Sequence, residues 1–159
     1  MANITIVTVG SLKEGYLRDA VAEYKKRLSQ YARVDEVEIK EERINNEDNR
    51  AEIDSALNKE ADKILAAIPK DSFKIALCVE GKQYTSEELA KLVSDGCDRG
   101  GKITLVIGSS YGLSEKVKKE CDVRLSFSKL TFPHQLMKVI LFESLYRSFT
   151  IINGKRYHK

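Results

Sequence analysis

Several residue types that usually mark a special class of protein are scarce in this chain of 159 residues, which contains no tryptophan, two prolines, two histidines and three cysteines. Cys78, Cys97 and Cys121 are far apart and form no CxxC motif, so we expect free thiols and a cytoplasmic location. Neither histidine lies near a cysteine, so we predict no metal site. No apolar run approaches the roughly 20 residues of a membrane span, and the first residues do not resemble a signal peptide. We therefore predict no membrane partner.

What the chain does contain is typical of a globular domain. Apolar residues make up 42% of it and charged residues 32%, a balance that supports one hydrophobic core and excludes a disordered chain. The length suits a single domain. The charge is uneven, because residues 121–159 contain seven Lys or Arg residues against two acidic ones, whereas the rest is slightly acidic. This basic quarter indicates an anionic partner; an ordinary solvated surface is the alternative.

Short apolar, β-branched runs alternate with helical patterns along the whole chain. Strands are predicted at residues 4–9, 34–40, 73–79, 103–107 and 123–127, and helices at residues 16–28, 53–68, 86–96, 115–120 and 134–152. Five such alternations predict an α/β fold with a mostly parallel sheet flanked by helices, and residues 34–40 are expected at its edge. Ligands of such sheets bind beyond the carboxyl ends of the strands, here residues 79–82, 108–112 and 128–134.

The last predicted helix, residues 134–152, is apolar on nearly its whole circumference. Only Glu143, Arg147 and Thr150 form a polar stripe, at the i, i+4, i+7 spacing of one helix face. A helix of this kind has to be buried on several sides. Since one domain of this size covers one side, we predict a homodimer that packs through this helix at positions such as Leu141 and Leu145. A central core helix in a monomer is the alternative.

Two loops are candidates for binding a ligand. Residues 108–112, Gly-Ser-Ser-Tyr-Gly, follow a strand and precede a helix, but they match neither GxGxxG nor a P-loop. Residues 125–135 mix apolar and hydroxyl side chains before Pro133, a combination that suits an adenine ring. For both loops a plain strand-to-helix junction is the alternative. His134, at the start of the helix, is interpreted as a capping or packing residue.

The C-terminal tail (residues 155–159) combines an aromatic ring, an imidazole and three cations: Lys155, Arg156, Tyr157, His158 and Lys159. Such a set suits stacking on a base, proton transfer and phosphate binding. A frayed chain end without function is the alternative.

Several of these motifs together resemble one known family. Ile107-Gly108-x-x-x-Gly112-Leu113 is followed by Leu125-Ser126-x-Ser128-x-x-Thr131-x-Pro133-His134, by Glu143-x-x-Tyr146-Arg147 and by Tyr157-His158. The pattern is similar to that of the RlmH family, bacterial SPOUT-class methyltransferases that methylate N3 of a pseudouridine in 23S rRNA. The likeness extends over the whole chain. One departure is Ser109, where the family usually has a second glycine.

The resemblance implies a single SPOUT domain over residues 1–159, in which residues from about 73 to 159 form a deep trefoil knot and the cofactor site. Pattern reasoning alone excludes a knot, because true knots are rare. The resemblance also implies S-adenosylmethionine (SAM) as the cofactor and 23S rRNA in the assembled ribosome as the substrate. It further implies an obligate homodimer, in which the cofactor loops of one subunit meet the tail of the other.

Site residues follow from their positions in the family motifs. The residues expected around the cofactor are Leu77, Gly108, Phe127, Ser128, Lys129, Leu130, Thr131 and Phe132. The catalytic residues implied are His158 for proton transfer, Tyr157 for stacking on the flipped base and Arg147 for stabilising the charge on that base. Arg156 and Lys159 are expected to bind RNA. Two alternatives stay open: a SPOUT enzyme with another RNA target such as tRNA, and a non-catalytic nucleotide-binding α/β module.

Overall fold

The structure, a computed structural model, describes residues 1–157, so His158 and Lys159 lie outside the described residues. Strands and helices alternate as predicted. The strands are β1 (Ala2–Val9), β2 (Ala32–Ile39), β3 (Phe73–Gln83), β4 (Lys102–Ile107) and β5 (Val123–Ser126). The helices are α1 (Gly15–Leu28), α2 (Arg50–Ala67), α3 (Ser86–Asp98), α4 (Glu115–Glu120) and α5 (His134–Ile152).

The five strands form one sheet in the order β2-β1-β4-β3-β5, and every neighbouring pair is parallel. The predicted parallel α/β fold is therefore confirmed, and so is the edge position of β2. Helices α1, α3 and α5 cover one face of the sheet, while α2 and α4 cover the other. Because the strands are parallel, their carboxyl ends meet at one edge, where the predicted ligand loops begin.

Helix ends follow local signals in the sequence. Thr85 Oγ1 accepts a hydrogen bond from the Glu88 amide (3.1 Å), and the Glu88 carboxylate accepts one from the Thr85 amide (2.8 Å). This capping box is the one that the sequence predicts, and it begins α3. Helix α2 ends at Ala67, because Pro69 favours an extended backbone at Ile68.

Strand β3 is longer than predicted and irregular. Leu77 and Lys82 both pair with Leu125 of β5, so residues 78–81 leave the regular ladder before pairing resumes. Gly81 lies so close to β5 that a Cβ at this position would be 2.7 Å from the Arg124 carbonyl carbon. The predicted end at residue 79 was wrong, because the second pairing depends on β5, more than forty residues further along the chain.

Helix α5 is covered by its own chain more fully than the sequence suggests. Leu141 and Leu145 are fully buried within the single subunit, so their predicted placement on a dimer interface is wrong. Thr150 is also buried, and its hydroxyl donates to the Arg147 carbonyl (2.7 Å), so it belongs to no exposed polar stripe. The described residues include no helix with the length and hydropathy that crossing a membrane requires.

Candidate active site

A cavity of about 750 Å³ opens at the carboxyl ends of β3, β4 and β5. Its walls come from the end of β3, the loop after β4, one residue of α4, the loop after β5 and the first turn of α5. The residues that line it are Leu77, Cys78, Val79, Glu80, Ile107, Gly108, Ser109, Ser110, Tyr111, Gly112, Leu113, Lys118, Leu125, Phe127, Ser128, Leu130, Thr131, Phe132, Pro133, His134 and Met137. All three segments that the sequence placed beyond strand ends contribute to it.

The loop after β4 is a tight turn closed by backbone contacts. The Gly112 amide donates to the Ser109 carbonyl (2.9 Å), and Gly112 has a φ of +86°, a conformation that favours glycine. A Cβ on Gly108 would lie 2.3 Å from the Gly112 carbonyl oxygen. Gly108 is thus required first by its own loop. Ser109, the departure from the family pattern, accepts a hydrogen bond from the Tyr111 amide through its hydroxyl (3.3 Å).

The loop after β5 is held by two serine hydroxyls. Ser126 Oγ donates to the Ser128 carbonyl (3.1 Å), and Ser128 Oγ accepts from the Leu130 amide (3.0 Å). These local bonds keep the loop compact and turn Phe127 and Phe132 towards the cavity wall. Of the eight residues expected around the cofactor, seven line the cavity. Lys129 is not among the lining residues.

An ion pair forms one part of the wall. Lys118, on α4, donates from Nζ to Glu80 Oε1, and its side chain is 12% exposed. The hydrogen bond from Lys118 holds the pKa of Glu80 below its usual range. Glu80 falls in the segment 79–82 that the sequence singled out, but nothing in the sequence indicates Lys118, since α4 has no binding motif.

His134 lines the cavity from the start of α5. Pro133 occupies the N-cap position and makes no side-chain capping hydrogen bond, so His134 is the first residue of the helix and not its cap. Its Nε2 atom lies 3.6 Å from the position that a Cβ on Gly10 would occupy. The imidazole is therefore close to the β1–α1 loop. Of the two interpretations of His134, capping is therefore wrong, while packing, here against the β1–α1 loop beside the cavity, stays a prediction.

Tyr157, which follows α5, packs against Arg147 of that helix, and neither residue lines the cavity. The Tyr157 hydroxyl donates to Glu143 Oε1 (3.2 Å), and the Arg147 guanidinium lies 4.9 Å from the centre of the Tyr157 ring. Arg147 also donates to Glu143 (2.5 Å). Burial and the Glu143 carboxylate raise the pKa of Tyr157 to about 12. Arg147 is ten residues beyond Met137, the last residue of α5 that lines the cavity, which places it about 15 Å further along the helix axis.

The other expected site residues belong to the C-terminal tail. Arg156 is exposed at the chain end, as an RNA-binding residue should be, while His158 and Lys159 lie outside the described residues. Residues 1–157 include no group of three or more His, Cys, Asp or Glu side chains arranged to hold a metal ion. Within one subunit, the structure therefore brings together seven of the eight residues expected around the cofactor, and it keeps Tyr157 and Arg147 away from them.

A family model described as "Predicted SPOUT methyltransferase" matches residues 2–158. The chain belongs to the SPOUT methyltransferase family. Two similar relatives are named ribosomal RNA large subunit methyltransferase H: the protein of Shouchella clausii is 49% identical over 158 residues, and that of Exiguobacterium sp. is 48% identical over 158 residues. In both cases 99% of each chain is covered. The resemblance drawn from the motifs is confirmed.

Solved structures of low sequence identity share the SPOUT fold of this chain. A methyltransferase structure from Bordetella pertussis aligns with a TM-score of 0.59 at 14% identity and covers 92% of this chain and 96% of its own. A Legionella pneumophila structure with bound SAM aligns with a TM-score of 0.53 at 12% identity and covers 91% of this chain and 65% of its own.

Proposed function

We propose that this protein transfers the methyl group of SAM to N3 of a pseudouridine in 23S rRNA of the assembled ribosome. SAM-dependent methylation of large-subunit rRNA follows from membership of the SPOUT family and from the relatives' names. The base, the atom and the assembled ribosome are the finer part of the proposal. The observation that supports it best is the cavity at the strand ends, built from the motif residues that the RlmH resemblance assigns to the cofactor.

The cavity suits SAM in size and chemistry. Its volume of about 750 Å³ falls in the range of ordinary ligand pockets, and apolar side chains predominate with a few polar groups among them. Leu77, Gly108 and residues 127–132 would hold the cofactor, with Phe127 and Phe132 offering apolar surface to adenine. When bound, SAM supplies a methyl group activated on a cationic sulfur.

The chain's own part in the reaction is to orient the base and to remove the proton from N3. His158 is the proposed proton acceptor, since an unperturbed imidazole titrates near about 6.5. Tyr157 cannot serve as a base at neutral pH, because its pKa of about 12 keeps the phenol protonated. Stacking is the role that remains for its ring. Arg147 would stabilise negative charge on the base, and Arg156 and Lys159 would bind phosphates.

We also propose that the active form is a homodimer with a deep trefoil knot formed by residues from about 73 to 159 of a single domain, 1–159. Arg147 lies about 15 Å along α5 from Met137, the last residue of that helix that lines the cavity of the same subunit, and the Tyr157 ring packs against Arg147. This separation supports a composite site, in which the tail of one subunit serves the cavity of its partner. A stripe of α5 that the chain leaves partly exposed, Leu136, Ile140, Ser144, Arg147 and Ile151, supports packing of α5 against a second copy.

Methyl transfer from labelled SAM to ribosomes tests the proposed activity. Ribosomes that lack the modification but contain the pseudouridine are expected to accept one methyl group, located at N3 by mass spectrometry. Ribosomes that carry uridine at the same position serve as the control and are expected to accept far less. Methylation of tRNA instead of ribosomes would favour a SPOUT enzyme with another target. Binding of SAM without transfer to any RNA would favour a nucleotide-binding module.

A further inference from the structure

Glu80 and Lys118 are the only side chains lining the cavity, within the described part of the chain, that belong to Asp, Glu, Lys or Arg residues. All other lining residues are apolar, hydroxyl-bearing or glycine, apart from Cys78 and His134. Charges beside apolar surface are costly unless they are paired, and these two are paired with each other. The two members of this pair differ in their exposure.

Lys118 is the enclosed member of the pair. Its side chain is 12% exposed, while that of Glu80 is 53% exposed. Lys118 donates to Glu80 Oε1 and lies 3.5 Å from Glu115 Oε1, a residue outside the cavity lining. Burial opposes the charge on Lys118, but the hydrogen bond to Glu80 and both nearby carboxylates raise its pKa. The ammonium group therefore remains charged, and its hydrogen bond restrains the Glu80 carboxylate.

The backbone holds Glu80 in place as well. Residues 78–81 leave the β3–β5 ladder, and Gly81 packs directly on the β5 backbone at Arg124. This contact fixes the segment that carries Glu80 against the sheet. The backbone contact of Gly81 and the hydrogen bond from the largely enclosed Lys118 side chain therefore both hold Glu80 in position before a ligand binds. Such an arrangement is preorganised.

The carboxylate keeps acceptor capacity for a ligand. An ionised carboxylate has about four lone-pair sites; Lys118 and the backbone amide of Glu80 itself occupy two of them, so acceptor sites remain. The adenosyl group of SAM contains a ribose whose two neighbouring hydroxyls are both donors. A carboxylate that follows a strand and accepts from ribose hydroxyls is a recurring solution in parallel α/β nucleotide sites. Neighbouring apolar and loop residues then suit the adenine ring.

We propose that Glu80 binds the ribose hydroxyls of SAM, and that Lys118 acts as a positioning residue that orients the Glu80 carboxylate. This inference rests on the proposed function, because it assigns a part of the same cofactor to a particular side chain. If it is right, the protein binds a cofactor that contains ribose more tightly than the same cofactor with deoxyribose.

Calorimetry with S-adenosylhomocysteine tests the assignment without any turnover. Glu80→Gln is expected to weaken binding by about tenfold to a hundredfold, the effect of losing hydrogen bonds to a charged group. For the 2′,3′-dideoxyribose analogue of S-adenosylhomocysteine, wild type and Glu80→Gln are expected to bind equally. Glu115→Gln is the matched control, since it removes a carboxylate near the same lysine but outside the cavity, and it should bind like wild type.

Methylthioadenosine, which retains the ribose but lacks the amino acid, separates the ribose from the methionine part of the cofactor. The Glu80→Gln loss should persist with this ligand. If the loss disappears, the carboxylate binds the ammonium group and the ribose assignment is overturned. Unchanged binding of S-adenosylhomocysteine by Glu80→Gln would overturn it as well. If the wild-type protein binds no S-adenosylhomocysteine at all, the proposed function fails together with this inference.

The role of Lys118 has its own readout in the pH profile of binding. In the wild-type protein, affinity should fall only when the pH drops through the lowered pKa of Glu80. In Lys118→Met the fall should begin at higher pH, because the carboxylate loses the cation that keeps it ionised. A profile with the same midpoint in both proteins would exclude positioning by Lys118.

Discussion

At the scale of single residues, the turn at Gly108 is determined by its own loop. The space that a Cβ would need is occupied by the Gly112 carbonyl, 2.3 Å away. Any side chain at this position has to push the loop open before it reaches a ligand. The site therefore depends on Gly108 through the shape of the cavity wall, and substitution should affect stability as well as binding.

Gly108→Ala is expected to lower the free energy of unfolding by about 1–3 kcal/mol, the usual effect of overpacking. It should also weaken S-adenosylhomocysteine binding by about tenfold or more, because the loop that forms the cavity wall is displaced. Thermal denaturation and calorimetry measure the two effects. Gly15→Ala is the control: like Gly108 it has no positive φ, but its Cβ would meet only Arg18 Nη2, at an ordinary 3.6 Å and away from the cavity. Normal binding by Gly108→Ala would contradict the prediction.

At the scale of elements, a buried cation connects α5 to the edge strand β2. Lys138 Nζ lies 2.8 Å from Glu36 Oε1 and 3.9 Å from Glu38 Oε1, with the lysine side chain 5% exposed. Glu36 also pairs with Lys25 of α1 (2.9 Å). Burial alone would raise the pKa of Glu36, but the hydrogen bonds from both lysines outweigh it and hold the pKa below its usual range.

Glu36→Gln is expected to destabilise the protein at pH 7 by about 2 kcal/mol, since charge-assisted hydrogen bonds are lost and Lys138 stays buried. The native pKa of Glu36 is lowered, so its contribution is present above the ordinary glutamate pKa of about 4.3 and is lost as the pH falls through the native value. Urea unfolding should show a smaller difference between the two proteins at pH 3 than at pH 7. Glu38→Gln, at the longer distance, is the control. An equal loss at both pH values would refute this account.

At the scale of the whole molecule, the chain leaves one stripe of α5 partly exposed, and this stripe is the proposed contact with a second copy. Leu141 and Leu145 are buried in their own chain, whereas Ile140 is partly exposed on the stripe that also contains Leu136 and Ser144. Substitutions at the neighbouring positions 140 and 141 of α5 are therefore expected to have different effects. A charge at Leu141 is expected to disturb the core of the subunit, and a charge at Ile140 is expected to disturb only the proposed contact between subunits.

Light scattering of the wild-type protein is expected to give about twice the chain mass of 18.0 kDa. Ile140→Glu should give a folded monomer that no longer methylates ribosomes, because an unpaired charge at the interface opposes association and the partner's tail is lost. Leu141→Glu is the matched comparison and should unfold the subunit, as seen by circular dichroism. A dimeric, active Ile140→Glu protein would exclude this stripe as the interface.

Much of the fold was predictable because its signals are local. The capping box at Thr85, the break at Pro69 and the alternation of strand and helix patterns each depend on residues close in sequence. The loops around the cavity were predictable in part for the same reason, since parallel strands bring their carboxyl ends together. Family motifs supplied the rest, including seven residues that do line the cavity.

By itself, then, the sequence determined the order of elements, the parallel sheet and the edge at which a ligand would bind, because periodicity and turn chemistry act over short distances. Only the tertiary structure decided which side of α5 its own chain covers, since burial depends on α1 and α3. It also decided that Lys118 of α4 supports Glu80 of β3, and that Tyr157 packs on α5. Such contacts join residues between 14 and 38 positions apart, and no local pattern specifies which of many possible partners will meet.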